Sequence, residues 1–216
     1  LDAFALIYRA YYAFIKNPRV TSKGLNTSAI FGFLNSLVEI LQKEKPTHIA
    51  VAFDSSAKTF RHDKFPAYKA NRDATPEDIK IAVPYVKSLL DALNIPIFEV
   101  PGYEADDIIG TLASKARVED KNLKIIIASG DLDTTQLVDE TRTVVFTMRK
   151  GIADTVIYDE RAVQERFGFK PEFLPDFKGL KGDPSDNIKG VPGVGDKTAT
   201  TLIQKFGTLE KLYAAL

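Results

Sequence analysis

The sequence predicts an α/β fold, with a mostly parallel central sheet flanked by helices and a small helical subdomain after it. Short apolar runs alternate with segments of helical periodicity, which is the pattern of strand-helix-strand units. Several of these runs end at acidic residues beside glycines. Beyond about Thr155 the pattern changes to short helices broken by Gly and Pro. We therefore expect an α/β core over residues 1–157 and a second subdomain over residues 158–216.

The elements are predicted from spacing, capping residues and composition. Leu1 is expected to be the tail of a strand, which would place Asp2 at a strand's C-terminal end. Thr75-Pro76-Glu77-Asp78 supplies an N-cap, a proline for the first helical position and early acids. The apolar run over 125–128 is typical of a buried parallel strand. The predicted elements are, in order, helix 6–14, helix 27–44, strand 48–53, helix 76–93, strand 95–100, helix 104–116, strand 125–128, and helices 159–167 and 172–180.

The composition indicates a globular protein. The chain has 216 residues, 44% of them hydrophobic, which is enough for one sizeable core. No apolar stretch approaches the roughly 18 to 20 residues that cross a bilayer, and no signal-peptide pattern opens the chain. The absence of cysteine excludes disulfides and fits a reducing compartment. We expect a cytoplasmic monomer without a membrane partner.

Positive charge is concentrated in one place. The 29 basic and 29 acidic residues balance, so no global excess indicates a nucleic-acid partner. Residues of about 55–75 form the basic segment, in which residues 58–72 carry a dense run of cations against the single acid Asp63, with Phe60, Phe65 and Tyr68 between them. Such a segment can bind a polyanion, although a solvated charged loop is the ordinary alternative. The cations are Lys58, Arg61, Lys64, Lys69 and Arg72.

Acidic residues at the ends of predicted elements predict a metal site. Parallel strands gather their carboxyl ends at one edge, and crowded carboxylates cannot all ionise without a cation. Oxygen ligands favour Mg²⁺ or Mn²⁺, whereas zinc lacks its usual ligands because only His48 and His62 are present and cysteine is absent. A structural calcium site and scattered helix caps remain alternatives. The acids are Asp2, Asp54, Glu104, Asp106, Asp107, Asp131, Asp133, Asp183 and Asp186.

A glycine-rich turn before a helix predicts a phosphate site. Gly190-Val191-Pro192-Gly193-Val194-Gly195 precedes an apolar-periodic helix and is typical of a helix-hairpin-helix. Glycines leave backbone N–H groups accessible, and the helix N-terminus adds a positive dipole. The candidate contacts are Gly190, Gly193, Gly195, Lys197 and Thr198, with plain turn glycines as the alternative.

These motifs, in this order, resemble the 5′ nuclease family, which includes the N-terminal nuclease domains of bacterial DNA polymerases I and the flap endonucleases. The resemblance covers nearly the whole chain and rests on several segments together. They are Leu1-Asp2 with Leu6-Ile7-Tyr8-Arg9, Val51 to Asp54, Phe60-Arg61-His62, Tyr68 to Arg72, GYEADD, SGDLDTTQL and GDPSDNIKGVPGVGDKTA.

The resemblance implies a PIN-like 5′ nuclease core, a helical arch and a structure-specific 5′-3′ exonuclease or flap endonuclease that uses two metal ions on branched or 5′-ended DNA. Asp2, Asp54, Glu104 and Asp106, with Asp107 nearby, would serve the first ion, and the remaining acids would serve the second. Lys69 and Arg72 would neutralise the scissile phosphate, Tyr8 would stack on a base and Arg9 would hold a phosphate. The hairpin would hold duplex backbone with K⁺, and a polymerase domain would follow.

Two departures from the family pattern concern rate rather than the metal site. Leu132 stands where the family commonly has lysine, and Ala3 follows Asp2 where glycine is usual. Neither removes a carboxylate. The competing hypotheses are a catalytically weak module that binds branched DNA and a PIN-type ribonuclease.

Overall fold

A computed structural model of the chain describes residues 1–139, 142–148 and 155–216. It contains an α/β core followed by a helical subdomain. The helices are α1 (Ala3–Ala13), α2 (Ser28–Glu44), α3 (Phe60–Lys64), α4 (Glu77–Ala92), α5 (Ala105–Glu119), α6 (Glu160–Phe167), α7 (Leu174–Lys181), α8 (Asp196–Phe206) and α9 (Leu209–Ala214). The strands are β1 (Val51–Phe53), β2 (Ile97–Glu99), β3 (Ile125–Ala128), β4 (Thr143–Met148), β5 (Thr155–Tyr158), β6 (Gly182–Asp183) and β7 (Ile188–Lys189).

The central sheet is mostly parallel, as the sequence predicts. β1 pairs with β2 and β3 pairs with β4 in parallel, whereas β5 runs antiparallel against β4. Leu1 and Asp2 join the two parts, because Ala52 N donates to Leu1 O and Asp2 N donates to Ala128 O at 2.8 and 2.9 Å. The resulting strand order is β2, β1, residues 1–2, β3, β4, β5. Asp2 therefore lies at the end of a short central strand, as expected.

Two apolar clusters fix this sheet between helices. The first packs α1, α2 and α4 on β1, around Phe33, Leu37 and Phe53, which are fully buried. The second packs α5 and α6 on β3 to β5, with Val145 and Val163 at its centre. Burial of such side chains stabilises the fold by about 1.5–3 kcal/mol each.

The helical subdomain has its own core. Phe169, Phe177 and Ile203 are buried between α7 and α8 in a third cluster. α6 packs instead with the sheet through Val163, which favours a boundary after α6. The division at 157/158 remains a prediction.

Several predicted elements differ from the observed ones. Pro76 is the N-cap of α4 rather than its first helical residue, since its ψ of 140° is extended. The strands β1 and β2 are shorter than predicted, because only the three residues of each that pair with the other form the ladder. The strands β4 and β5 were not predicted.

Candidate active site

An open pocket of about 680 Å³ lies at the carboxyl end of the sheet. Its walls come from the basic segment, the start of α5, the segment after β3 and the loop between β6 and β7. This arrangement brings most of the predicted acids and three of the predicted cations to one place. The charged residues and tyrosine that line it are Arg61, Tyr68, Lys69, Arg72, Glu104, Asp106, Asp107, Lys115, Asp131, Asp133 and Asp186.

Asp2 and Asp54 lie at the buried ends of their strands. Asp2 is the N-cap of α1, where its Oδ1 accepts from Ala5 N at 3.0 Å and its Oδ2 from the Ser129 hydroxyl at 2.8 Å. Asp54 Oδ1 accepts from Ala105 N at 2.8 Å. Burial raises the pKa of both carboxyls, and repulsion between them raises that of Asp2 further. A buried and a partly buried carboxyl that repel each other favour a bound cation.

Asp106 is the most perturbed carboxyl of the pocket. Burial and then repulsion from Asp2, Asp131, Asp54 and Asp133 raise its pKa to about 8. Within the described residues, no side chain or backbone donor is hydrogen-bonded to its carboxylate. This crowding is the strongest electrostatic argument for a cation, because a nearby positive charge would relieve all of these repulsions together.

Glu104 and Asp107 form a capping box at the start of α5. Asp107 also accepts a bidentate pair from Arg61 at 2.7 and 2.8 Å, while Glu104 accepts from Lys69 at 2.8 Å and from Tyr68 at 2.9 Å. Burial raises the pKa of Asp107, but the Arg61 hydrogen bonds outweigh it and the pKa is lowered. Asp107 is therefore engaged in holding Arg61.

A lysine that was not predicted lies among the second group of acids. The Lys178 ammonium on α7 contacts both Asp133 and Asp183, the latter at 2.8 Å. Asp183 also accepts from the Ser185 hydroxyl at 2.5 Å, and Asp131 accepts from Asp133 N at 2.9 Å. Burial raises the pKa of Asp133, and although burial alone would also raise that of Asp183, its bonds to Lys178 and Ser185 lower it. No local pattern distinguishes Lys178 from other lysines.

The basic segment is tied to the loop between β6 and β7. The Tyr68 hydroxyl shares its single proton between Glu104 and Asp186, whose carboxylate lies 3.1 Å away. Arg72 donates to the Asp186 carboxylate at 2.7 Å, and Lys69 N donates to Asp186 O at 3.0 Å. Burial, then the neighbouring carboxylates of Glu104 and Asp186, raise the pKa of the Tyr68 phenol well above its usual range. Tyr68 therefore stays protonated and works as a hydrogen-bond donor.

The donor chemistry fits hard divalent cations, because every candidate ligand is a carboxylate oxygen. In the part of the chain that the structure describes, however, no group of three or more Asp, Glu or His side chains is arranged to hold an ion. Arg61, Lys69, Arg72 and Lys178 occupy carboxylate oxygens of Asp107, Glu104, Asp186, Asp133 and Asp183 that a cation could otherwise use. The metal roles of these acids remain predictions.

The glycine-rich turn contains two kinds of glycine. Gly193 has a φ of +81° and open space where a Cβ would stand, and Gly195 is the N-cap of α8 with equally open space. Lys197 and Thr198 are exposed in the first turn of α8. Gly190 differs, because a Cβ there would lie 2.2 Å from Lys181 C. Gly190 therefore allows two backbone segments to touch. Unlike Gly193 and Gly195, it has no open space beside it for a ligand.

Four predicted contact residues lie away from the acidic walls. Tyr8 donates to the Thr75 hydroxyl at 3.1 Å and stacks on Tyr12 at a centroid distance of 6.3 Å. Arg9 is partly exposed on α1, and Lys58 and Lys64 are exposed on the basic segment. None of the four lines the pocket. Their contacts with nucleic acid remain predictions.

Carboxylates gathered at the ends of parallel strands, beside a basic segment and a glycine turn, define the class of α/β nucleases with a helical C-terminal subdomain. The chain belongs to the 5'-3' exonuclease family. The model described as "5'-3' exonuclease, N-terminal resolvase-like domain" matches residues 1–168, and the one described as "5'-3' exonuclease, C-terminal SAM fold" matches residues 169–216.

Curated relatives are bacterial DNA polymerases I. The chain is 46% identical to DNA polymerase I of Bacillus caldotenax over 217 residues, which cover 100% of the chain and 24% of the polymerase. It is 43% identical to DNA polymerase I of Mycobacterium bovis over 98% of the chain and 23% of that protein. The chain thus spans about a quarter of the length of these relatives.

Solved structures share the fold. A bacteriophage T5 flap endonuclease in a complex with DNA and metal ions superposes with a TM-score of 0.77 at 22% identity, covering 100% of this chain and 77% of the other. The catalytic core of Rad2 with DNA substrate gives 0.57 at 20% identity, covering 98% and 62%. No described helix is long and apolar enough to span a membrane.

Proposed function

We propose that this chain is a 5′-3′ exonuclease and 5′-flap endonuclease that hydrolyses DNA phosphodiester bonds with two divalent cations, Mg²⁺ or Mn²⁺. The observation that carries the proposal is the crowding of Asp106 by four other carboxylates in an open pocket with a cationic rim. The family, the polymerase relatives and the nucleases solved with DNA support the same activity.

The candidate ligands fall into two groups. Asp2, Asp54, Glu104 and Asp106 would hold one cation, and a second group would hold the other. Bound cations would activate water and stabilise the leaving oxygen. Asp107 would act through Arg61, whose guanidinium it orients. The second group is Asp131, Asp133, Asp183 and Asp186.

The chain's own cations would bind the substrate phosphates. Lys69 and Arg72 contact Glu104 and Asp186 across the pocket, and a phosphate can replace either carboxylate as their partner. Arg61 is held more firmly by its bidentate bond. Lys69 and Arg72 would therefore neutralise the scissile phosphate while Arg61 keeps the wall of the pocket in place.

The helical subdomain would hold the duplex. Gly193 and Gly195 leave open space at the turn, and Lys197 and Thr198 lie beside them at the N-terminus of α8, which suits a phosphate. The K⁺ ion rests on the family resemblance alone. Tyr8 would stack on a base and Arg9 would bind a phosphate at the end of the nucleic acid near the site. We also propose that a polymerase domain is linked to this chain, because the longer relatives are DNA polymerases I.

The test is cleavage of a duplex with a labelled 5′ flap, with Mg²⁺ or Mn²⁺ and with EDTA. We expect cleavage only with the cation, and we expect Asp131→Asn to bind the flap while cutting at most about 1% as fast, as is usual when a charge-stabilising group is lost. Asp91→Asn, an exposed acid on α4, is the matched control.

Three outcomes would reject the proposal. If folded protein leaves the flap intact with either cation, the nuclease proposal fails and a module that binds branched DNA without cutting it is favoured. Full activity of Asp131→Asn would reject the metal site. Faster cleavage of single-stranded RNA than of flap DNA would favour a PIN-type ribonuclease.

A further inference from the structure

An aromatic pair lies next to two residues that line the acidic pocket, Arg61 and Glu104. The ring centroids of Phe60 and Tyr103 are 5.8 Å apart, and the residues are 38% and 49% exposed. Phe60 N donates to Gly102 O at 3.2 Å, which joins the basic segment to the loop before α5. The two exposed rings are therefore held together by backbone contact before any ligand binds.

The pair is continuous with the pocket. The Arg61 guanidinium lies 4.6 Å from the centroid of Phe60 and also donates both hydrogen bonds to Asp107 in the pocket wall. On the other side, Tyr103 directly precedes Glu104. The rings therefore adjoin two residues that line the pocket, Arg61 and Glu104.

The surroundings of the pair carry positive charge. The Lys64 ammonium lies 5.7 Å from the Phe60 centroid, and Lys58 is exposed before Phe60 in the sequence. Asp63 is the one acid of α3. Partly exposed aromatic rings with neighbouring lysines match a strand that has both bases to stack and phosphates to neutralise.

We propose that Phe60 and Tyr103, flanked by Lys58 and Lys64, form a stacking site for an unpaired nucleobase of the single-stranded 5′ segment. The inference rests on the proposed function and adds where the unpaired strand is held. Bases within a duplex already stack on each other, so exposed rings select the unpaired part of a branched substrate. The site also binds without regard to sequence, because every base has a flat face.

The test compares two flap duplexes that differ only in the flap, which carries thymidines in one and abasic nucleotides in the other. Both keep the phosphates. In fluorescence anisotropy with EDTA, we expect the wild type to bind the thymidine flap on the order of fivefold to tenfold more tightly. Phe60→Leu and Tyr103→Leu should remove this preference and leave the affinity for the abasic flap unchanged. Tyr213→Leu, at an exposed tyrosine of α9, is the control.

Each failure has its own signature. Equal wild-type affinity for both flaps overturns the stacking site, as do leucine variants that keep the preference or lose affinity for both flaps alike. A parallel cleavage assay separates the two proposals, because a wild type that neither binds nor cuts flap DNA refutes both. Melting curves check that each variant is folded. If Phe60→Leu does not fold, the flap preference of Tyr103→Leu alone tests the stacking site.

Discussion

The Ser129 hydroxyl donates a hydrogen bond to Asp2 Oδ2 at 2.8 Å, and both residues are at most 5% exposed. The same hydroxyl accepts from Asp131 N at 3.0 Å. One buried side chain at the end of β3 thus positions a carboxylate from the start of the chain and another from the segment that follows the strand. The acids of the pocket are oriented by neutral donors as well as by cations.

Replacing Ser129 with alanine should destabilise the fold and slow cleavage. The change leaves a buried carboxylate oxygen without its donor, which costs about 1–3 kcal/mol in the free energy of unfolding. Urea unfolding measures the loss, and flap cleavage measures the rate. Ser56→Ala, at an exposed serine, should stay within about 0.5 kcal/mol of the wild type. Wild-type stability of Ser129→Ala would show that this hydrogen bond is unimportant.

Replacing Asp106 with asparagine should stabilise the metal-free protein as the pH rises. The folded pKa of about 8 lies above the ordinary value of 3.8, so the wild type is penalised increasingly between about pH 4 and 8. The asparagine variant escapes this penalty. With about 1.4 kcal/mol per pKa unit, we expect an advantage of a few kcal/mol at pH 8 and almost none at pH 4, measured by urea unfolding in EDTA. An advantage that does not grow with pH would contradict the prediction.

Replacing Lys178 with methionine should tighten divalent-cation binding and weaken the metal-free fold. The ammonium now neutralises Asp133 and Asp183, so its removal leaves both oxygens to a cation. Calorimetric titration with Mn²⁺ should show a several-fold higher affinity. The control is Lys181→Met on the same helix, because Lys181 pairs with the exposed Asp196. Weaker Mn²⁺ binding in Lys178→Met would mean that the lysine helps to build the cation site.

The two glycines of the turn should respond differently to alanine. Gly190→Ala places a Cβ against the backbone of residue 181 and should cost at least about 3 kcal/mol in stability. Gly193→Ala meets no atom and carries only the left-handed strain of about 1 kcal/mol. Thermal melting distinguishes them. We expect Gly193→Ala to fold and to bind flap duplex more weakly, and equal melting temperatures would refute the assignment.

The sequence predicts most of what is local. Helix periodicity and strand-ending acids predict α2, α4, β3 and the gathering of carboxylates at one edge, because each depends on neighbouring residues. Contacts between distant segments escape such reasoning. Lys178 lies between two acids only because α7 folds back on the pocket, and Gly190 is required by contact with the backbone of residues 181 and 182. The strands β4 and β5 pair antiparallel with each other, and neither strand's own sequence specifies that partner.

The hydrogen bonds between residues 67–72 and 184–187 join parts of the chain that are 113 to 120 positions apart. A ribosome releases the amino-terminal part first, so a nascent chain displays the sheet and its first acids well before the opposite wall exists. Asp183, Asp186 and Lys178 arrive last. An unfinished polypeptide would therefore hold only half a cleft, and the proposed nuclease activity would require translation to have moved beyond residue 187.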